Sequence, residues 1–264
     1  MNARQWPLPV LYACSGATSL AFEVLWARML SLQFGVSIFG VVVTIAAFMA
    51  GLGLGSLLAL RWLRDCRRPL LAFAVIEGGI ALYALALPWL LGYAESGLAA
   101  VAPGVSLGIW FLLQGGALLF LILLPAIAMG AGFPLVLRAL GPDDEHALGL
   151  LYGFNSCGAA IGALLPLWLL PAFGWTASVG WIASLGLAVA AVAALLAWVR
   201  DRTTVSVSAR DDGVRPPLAS LLAYGAVGAA AILLEVGWTR LYGMVLLRTE
   251  YVMAVILAVY LLGI

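Results

Sequence analysis

The sequence predicts an all-α integral membrane protein, a polytopic bundle of about eight transmembrane helices built from two parallel six-helix repeats, the second truncated. Of its 264 residues, 65% are apolar and 9% are charged, whereas about a quarter of the residues in a soluble domain carry charge. Several apolar runs reach the roughly 20 residues that a helix needs to cross about 30 Å of hydrocarbon. One charged motif occurs twice in apolar surroundings, which indicates the repeat.

The repeated motif has the pattern Glu-x-x-Trp-x-Arg, and its two copies lie 212 positions apart. Its members are Glu23, Trp26 and Arg28 in the first copy and Glu235, Trp238 and Arg240 in the second. The copies lie in the first and seventh predicted helices, an offset of six, and an even offset returns the chain to the same side of the membrane, so the repeats are parallel. We therefore divide the chain into a first transmembrane repeat, a polar linker and the start of a second repeat, over residues 1–199, 200–217 and 218–264.

Each predicted helix is an apolar segment that ends near an arginine, a glycine, a proline or a polar run. The segments cover about residues 9–30, 36–60, 70–91, 107–129, 148–170, 175–199 and 218–241, and an eighth begins near residue 251. A basic loop, Arg61–Pro69, follows the second helix, and a tight turn at Pro171–Gly174 brings the sixth helix back against the fifth. Residues 93–104 are predicted to connect the third and fourth helices, and Gly130–Pro134 leads from the fourth helix into Arg138.

Two predicted helices carry small residues at helical spacing. Gly51 and Gly55 in the second helix lie four positions apart, which favours close approach by a neighbouring helix. We interpret them as a packing surface, since a phosphate-binding loop would need a preceding strand and a lysine. The fifth helix has a small-residue face that includes Gly158 and Gly162 and is interrupted by the amide of Asn155.

The positions of the basic residues predict the orientation in the membrane. All thirteen are arginines, and ten lie in the N-terminal tail and in the loops after the second, fourth and sixth helices. The positive-inside tendency predicts that these parts face the cytoplasm, so we expect a multi-pass protein of the inner membrane with a cytoplasmic N-terminus. The formal net charge is +1, which provides no electrostatic basis for binding nucleic acid. The partner that the composition predicts is the lipid bilayer.

Five polar side chains are predicted to lie inside apolar helices, where a charge costs about 2.5 to 3.5 kcal/mol on insertion scales. They are Glu23, Glu77, Gln114, Asn155 and Glu235. Because such residues mark the paths of substrates and ions, we expect them to line a cavity for a cation or a proton. Interhelical hydrogen bonding is the alternative role of Glu77, Gln114 and Asn155.

No catalytic or metal-binding arrangement is recognisable in the sequence. Cys14, Cys66 and Cys157 lie far apart, with neither a metal-site spacing nor an obvious disulfide partner. We interpret them as small apolar side chains. We therefore expect no catalytic residue, no metal site and no cofactor in this chain.

Several segments resemble the membrane part of the bacterial fused transporter and spermidine synthase family. They are residues 15–28, Phe48–Ser56, Ile76–Gly79, Gly132–Leu135 and Tyr152–Ala159, which follow one another in the family's order. The resemblance covers essentially the whole chain. The resemblance implies a helical domain like those of the major facilitator superfamily. It also implies that aminopropyl transfer belongs to a soluble synthase domain beyond Ile264.

Two functions follow from the resemblance. In the first, the chain is the membrane module of a spermidine-synthase-like protein and moves a small polar or cationic solute such as a polyamine. In the alternative, it is a non-transporting anchor or regulatory scaffold for the C-terminal aminopropyltransferase domain. Transport predicts a water-accessible cavity around the buried acids, whereas anchoring predicts that these acids are paired and dry.

The resemblance also implies partners for the repeated motif. The first and seventh helices of a facilitator-like assembly meet across a pseudo-twofold axis, which predicts the ion pairs Glu23 with Arg240 and Glu235 with Arg28. Two tryptophans of the motif would then pack the halves together. The alternative for Arg28 is an interface anchor, because a rise of about 1.5 Å per residue places it near the outer surface of the membrane.

Overall fold

The computed structural model describes residues 6–33, 38–63, 66–140, 145–201, 217–246 and 249–263, and the regular elements in these ranges are all helices. They are α1 (Pro7–Gln33), α2 (Ile38–Trp62), α3 (Pro69–Val101), α4 (Leu107–Gly130), α5 (Gly132–Leu140), α6 (Glu145–Asp201), α7 (Leu218–Leu246) and α8 (Thr249–Gly263). A 3₁₀ turn, Ala102–Gly104, lies between α3 and α4. The all-helical prediction is confirmed for this part of the chain.

The helices have the length and composition of membrane spans. Among the described residues, six segments are long and apolar enough to cross a membrane, and the shorter apolar helix Tyr251–Gly263 follows them. The six are Pro7–Leu30, Val43–Trp62, Pro69–Gly104, Leu107–Leu140, Leu148–Val199 and Leu218–Val245. Many large apolar side chains on them are exposed, which is typical of surfaces that face lipid. These features indicate a membrane protein.

The longest helix, α6, turns back at Gly174, whose φ of 73° and ψ of −177° are not helical. Unbroken, its 57 residues would extend about 85 Å. Leu151 near its start and Ala197 near its end instead belong to the same buried cluster, so the chain reverses between them. Glycine suits this position because a positive φ strains any residue that carries a Cβ. The reversal lies within the predicted turn, Pro171–Gly174.

Helix α1, the most buried of the candidate spans, is the centre of the packing. Its residues Ala13 and Ala17 lie so close to α6 that a Cβ on Gly158 or Gly162 would collide with an α1 carbonyl oxygen. Small residues allow such an approach. In a membrane the hydrophobic effect does not drive helices together, so the dispersion energy of this close packing stabilises the pair. The small-residue face of α6 is therefore the surface that packs against α1.

A second close crossing joins α2 to α4. A Cβ on Gly51 or Gly55 would collide with α4 at residues 126–127. The hydroxyl of Ser56 donates a hydrogen bond of 2.8 Å to the carbonyl of Gly130, at the end of α4. The predicted packing role of the two glycines is confirmed.

Two helix boundaries differ from the prediction. Helix α3 continues to Val101, so the predicted connection at residues 93–104 is wrong. The segment is alanine-rich and has no proline before its last two residues, which favours continued helix. A short helix, α5, begins at Gly132 and was not predicted. Proline is tolerated in the first turn of a helix, where its missing N–H costs no hydrogen bond.

One end of the bundle holds the starts of α1 and α3 and the end of α2, together with Arg61, Arg67 and Arg68; we call it the arginine end. A buried cluster from α1, α3, α5 and both ends of α6 closes it. Arg138 of α5 donates a hydrogen bond from Nη1 to the carbonyl of Leu63, just past α2. This bond satisfies a carbonyl that the helix leaves open and fixes α5 to the end of α2.

Candidate functional site

The candidate site is built on a hydrogen bond between α1 and α3. Ser15 Oγ donates to Glu77 Oε1 at 2.6 Å, and the two residues expose only 4% and 3% of their surfaces. Each lies eight residues after the start of its helix, at Pro7 and Pro69, which is about 12 Å along the axis. Since both helices start at the arginine end, the bond lies at one depth inside the apolar bundle.

Tyr12 brings a second hydroxyl to the same place. It precedes Ser15 by three residues on α1, and Phe73, which its ring contacts, precedes Glu77 by four residues on α3. Its ring is held edge-on to Phe73, with centroids 6.2 Å apart, and tilted against Phe133 of α5 at 6.1 Å. The Glu77 carboxyl accepts a hydrogen bond from the Ser15 hydroxyl.

Asn155 of α6 reaches the same turn of α1. A Cβ on Gly16 would lie 2.5 Å from Asn155 Oδ1, so the amide lies directly against the residue that follows Ser15. The side chain is half-buried. We call Tyr12, Ser15, Glu77 and Asn155 the Glu77 cluster. Three helices thus contribute polar side chains at one level of the bundle.

The Glu77 cluster combines one acidic group with hydroxyl and amide oxygens in apolar surroundings. A carboxylate in such a place is unfavourable unless hydrogen bonds or a positive charge compensate it. The Ser15 hydroxyl supplies one hydrogen bond, so the alternative role expected for Glu77, interhelical hydrogen bonding, is present in the structure. The remaining negative charge is of the kind that a proton or a small cation neutralises.

Glu23 and Gln114 lie closer to the other end of the bundle. Glu23 is buried and follows Ser15 by eight residues, which places it about 12 Å further along α1. Gln114 is half-buried on α4, about 10 Å from the helix start, which lies opposite the arginine end. Both have interaction partners. Glu77 and Asn155 contact neighbouring residues of α1, Ser15 and Gly16, and a cavity shared with Glu23 and Gln114 stays a prediction.

The second copy of the repeated motif is only partly described. The side chain of Glu235 lies outside the described residues. Arg240 is exposed on α7, which packs against α8, and Arg28 is half-buried and has an interaction partner. The proposed ion pairs, Glu23 with Arg240 and Glu235 with Arg28, are not tested by this geometry and stay predictions.

Trp26 belongs to a buried core to which α1, α2, α3, α4 and α6 contribute. It is 1% exposed, its ring stacks on Phe22 at 5.3 Å, and it lies 6.4 Å from Phe48 and 6.3 Å from Tyr83. Trp238, its counterpart in the second motif, is exposed and stacks within α7. The expectation that these two tryptophans join the halves is therefore wrong for the described part of the chain. The aromatic side chains in contact with Trp26 lie on α1, α2 and α3.

Tyr83 has a structural role that the sequence analysis missed. Pro125 lies inside α4 and lacks an N–H, so the carbonyl of Leu121, four residues earlier, loses its helical partner. The hydroxyl of Tyr83 on α3 donates to this carbonyl at 2.7 Å. In a membrane such a carbonyl needs a protein partner. The sequence signal was a proline within an apolar helix. Which side chain donates the missing hydrogen bond depends on how the helices pack.

The remaining reactive side chains form no recognisable centre. Across the described ranges, no group of three or more His, Cys, Asp or Glu side chains could hold a metal ion. Cys14, Cys66 and Cys157 are free thiols, the first two half-buried and the third exposed. The Glu77 cluster therefore carries the functional argument.

The fold and the Glu77 cluster define a class of protein, a polytopic helical membrane protein with an acidic group inside its bundle. The chain is 30% identical to polyamine aminopropyltransferase 1 of Streptomyces coelicolor over 178 residues, which are 66% of this chain and 30% of that protein. It thus spans less than a third of the length of the curated relative it matches. No protein-family model and no solved structure match the chain. The similarity supports the expected relation to polyamine aminopropyltransferases.

Proposed function

We propose that the chain is the membrane module of a protein related to polyamine aminopropyltransferases, in which aminopropyl transfer takes place in a soluble domain outside these residues. The observation that carries the proposal is the similarity to the Streptomyces coelicolor enzyme, found in a chain whose helices are long enough to cross a membrane. The similarity covers 30% of that enzyme, so the greater part of its length is available for other domains.

For the architecture we propose a facilitator-like pair of parallel repeats with about eight transmembrane helices. Residues 1–199 would form the first repeat, 200–217 a cytoplasmic linker and 218–264 the start of the second. The recurrence of the Glu-x-x-Trp-x-Arg motif after 212 positions supports the repeat. The distribution of the arginines supports an arginine end in the cytoplasm and a place in the inner membrane.

For the role of the module we propose that it binds and moves a small cationic solute, such as a polyamine, with Glu77 as its acidic group. The support is a carboxyl that is buried inside the bundle and accepts a hydrogen bond from Ser15, since an ionised carboxyl in such a place is neutralised by a cation. The amide of Asn155 lies at the same level of the bundle. Glu23, Gln114 and Glu235 are the further polar groups proposed for the path.

The alternative role is that of a non-transporting anchor or regulatory scaffold for the aminopropyltransferase domain. One observation favours it: Glu77 is 3% exposed and accepts a hydrogen bond from Ser15. A carboxyl that only holds two helices together is expected to be paired and dry in this way.

Uptake of radiolabelled spermidine into proteoliposomes that contain the native protein separates the two roles. Transport predicts uptake above that of empty liposomes and a loss of about tenfold or more in Glu77→Gln, since about 1.4 kcal/mol of lost interaction lowers binding tenfold. The matched control is Glu95→Gln, the same change at an exposed position of the same helix. No uptake by folded wild-type protein would exclude transport, and equal uptake by both variants would exclude a role of Glu77 in it.

The anchor is tested by following aminopropyltransferase activity in cell fractions. Deleting both proposed transmembrane repeats, residues 1–264 and the rest of the second repeat, from the native protein should move that activity from the membrane fraction to the soluble fraction. Activity that stays with the membrane after the deletion would contradict anchoring by this module. A native protein without any aminopropyl transfer would contradict the proposed relation to the aminopropyltransferases.

A further inference from the structure

Exposed arginines gather at the arginine end, where the proposed function assigns them no role. Arg61 in the last turn of α2 and Arg67 in the loop after it are exposed, and so is Arg68. Trp62, between the first two, exposes 74% of its surface. Residues 61–68 contain four arginines and one aspartate, so the segment carries an excess of positive charge.

The backbone around these arginines is held by the fold. Arg138 of α5 donates to the carbonyl of Leu63, and the N–H of Cys66 donates to the same carbonyl at 3.1 Å. Leu70, at the start of α3, is buried in the cluster that closes this end. Arg61 and Arg67 therefore extend from a backbone that packing and hydrogen bonds position.

Arg61, Trp62 and Arg67, which we call the arginine patch, lie where the hydrocarbon of a bilayer meets the headgroups. The candidate span of α2 ends at Trp62, and that of α3 begins at Pro69, so the segment between them joins two membrane crossings on one side. Tryptophan is enriched at this level of membrane proteins. The phosphate groups of lipids lie there too, and arginine binds phosphate through two parallel N–H donors.

We propose that Arg61 and Arg67, with Trp62 beside them, bind the phosphate groups of anionic phospholipid headgroups, and that the protein retains such lipids at the arginine end. We infer a lipid because its phosphate is opposite in charge to the arginines and because these residues lie between two membrane spans, at the level of the headgroups. An acidic segment of a protein would match the charge of the patch but not the exposed tryptophan at the membrane boundary. The site is distinct from the Glu77 cluster and does not depend on the proposed function.

Native mass spectrometry of the full chain released from nanodiscs measures which lipids it retains. In nanodiscs with equal amounts of phosphatidylglycerol and phosphatidylcholine, we expect the wild type to retain phosphatidylglycerol preferentially. Each arginine near an anionic membrane surface is worth about a fivefold change in binding, so Arg61→Gln/Arg67→Gln should lower this retention by about tenfold or more. Arg61→Lys/Arg67→Lys keeps the charge and should keep most of the preference.

A second variant separates a local site from a general effect of charge. Arg202→Gln/Arg210→Gln removes the same charge from the polar linker and should leave the preference unchanged. Equal losses in the two glutamine variants, or no preference in the wild type, would overturn the proposal. The melting temperature shows whether Arg61→Gln/Arg67→Gln is folded. If it is not, Arg67→Gln alone, which leaves α2 intact, should lose about fivefold, and no loss there would equally overturn the proposal.

Discussion

At the scale of single residues, the hydrogen bond from Ser15 to Glu77 ties α1 to α3 where water cannot replace a lost partner. Interhelical hydrogen bonds in membranes contribute about 0.6 kcal/mol on average and up to about 1.7 kcal/mol. The contribution of a bond that a buried carboxyl accepts belongs at the upper end of this range, because its loss leaves a buried polar group without a hydrogen-bond partner. The Glu77 cluster therefore supports the fold whether or not it also binds a cation.

Replacing Ser15 tests this contribution. Ser15→Ala removes the donor and should lower the free energy of unfolding by about 1 to 2 kcal/mol. Unfolding in mixed detergent micelles, followed by tryptophan fluorescence, measures the change. Ser96→Ala is the control, because that exposed hydroxyl bonds only to the Gly92 carbonyl of its own helix and should change stability by less than about 0.5 kcal/mol. Equal effects of the two changes would contradict the role given to Ser15.

The contact between Tyr83 and α4 leads to a double-mutant test. Tyr83→Phe leaves the Leu121 carbonyl without a partner and should cost about 1 kcal/mol of stability. In a Pro125→Ala background the restored N–H can bond to that carbonyl, so the same tyrosine change should then cost close to nothing. Tyr93→Phe, at an exposed position of α3, is the control. A tyrosine cost that is the same in both backgrounds would show that the hydroxyl does not compensate for the proline.

Part of the Glu77 cluster was predictable from the sequence. Glu77 and Asn155 stand out because a charge or an amide in an apolar segment is costly unless it has a use. Ser15 and Tyr12 do not stand out, since a hydroxyl fits a membrane helix with or without a partner. Their roles depend on which faces of α1 and α3 meet, and the sequence spacing within each helix does not determine that.

At the scale of helices, two close crossings fix the bundle, α1 against α6 and α2 against α4. Both rely on glycines that allow one backbone to touch the other. The crossing of α1 and α6 also positions part of the Glu77 cluster, because it places Asn155 in contact with the turn of α1 that carries Ser15. Packing of small residues and the position of the Glu77 cluster are thus linked through the same pair of helices.

Glycine-to-alanine changes on α6 test the crossing. Gly158→Ala would drive a Cβ into the carbonyl of Ala13 and should cost at least about 2 kcal/mol, because the obstacle is backbone. Gly153→Ala is the matched control on the same helix, where a Cβ meets open space. It should stabilise the protein by up to about 1 kcal/mol through the helix preference of alanine. The melting temperatures of the two variants in detergent give the comparison, and similar values would contradict the close crossing.

The helices themselves were largely predictable, and their ends were not. Apolar length identifies α1 and α2, and glycine at 174 marks the reversal in α6, because these signals are local. The extension of α3 to Val101 and the short α5 were missed. The extension of α3 follows from the absence of a strong helix breaker, which is a weaker signal than the presence of one. The start of α5 was missed for the opposite reason, because its glycine and proline usually end a helix but are also compatible with a first turn.

At the scale of the whole molecule, the two copies of the repeated motif lie in different surroundings. Trp26 is buried in the core, with aromatic neighbours on α1, α2 and α3, whereas Trp238 on α7 is exposed. Helix α7 contacts α8, which in turn contacts α6 and α1. The repeat in the sequence is therefore not matched by equal burial, and the facilitator-like pairing of halves stays a proposal that rests on the motif and its spacing.

The proposed orientation can be tested with the native cysteines. In Cys14→Ala/Cys157→Ala the remaining thiol, Cys66, lies at the arginine end, so a membrane-impermeant maleimide should label it in inverted vesicles and not in spheroplasts. A thiol introduced by Ser106→Cys into a cysteine-free protein lies before α4, at the opposite end, and should show the reverse pattern. Labelling of both positions from the same side would contradict the topology.

The central claim, that this membrane module binds a polyamine cation at Glu77, is tested most directly by isothermal titration of spermidine into the purified protein in nanodiscs. We predict saturable binding to the wild type and to the control Glu95→Gln, and binding about tenfold or more weaker to Glu77→Gln. No binding to folded wild-type protein, or the same affinity in Glu77→Gln as in the wild type, would contradict the claim.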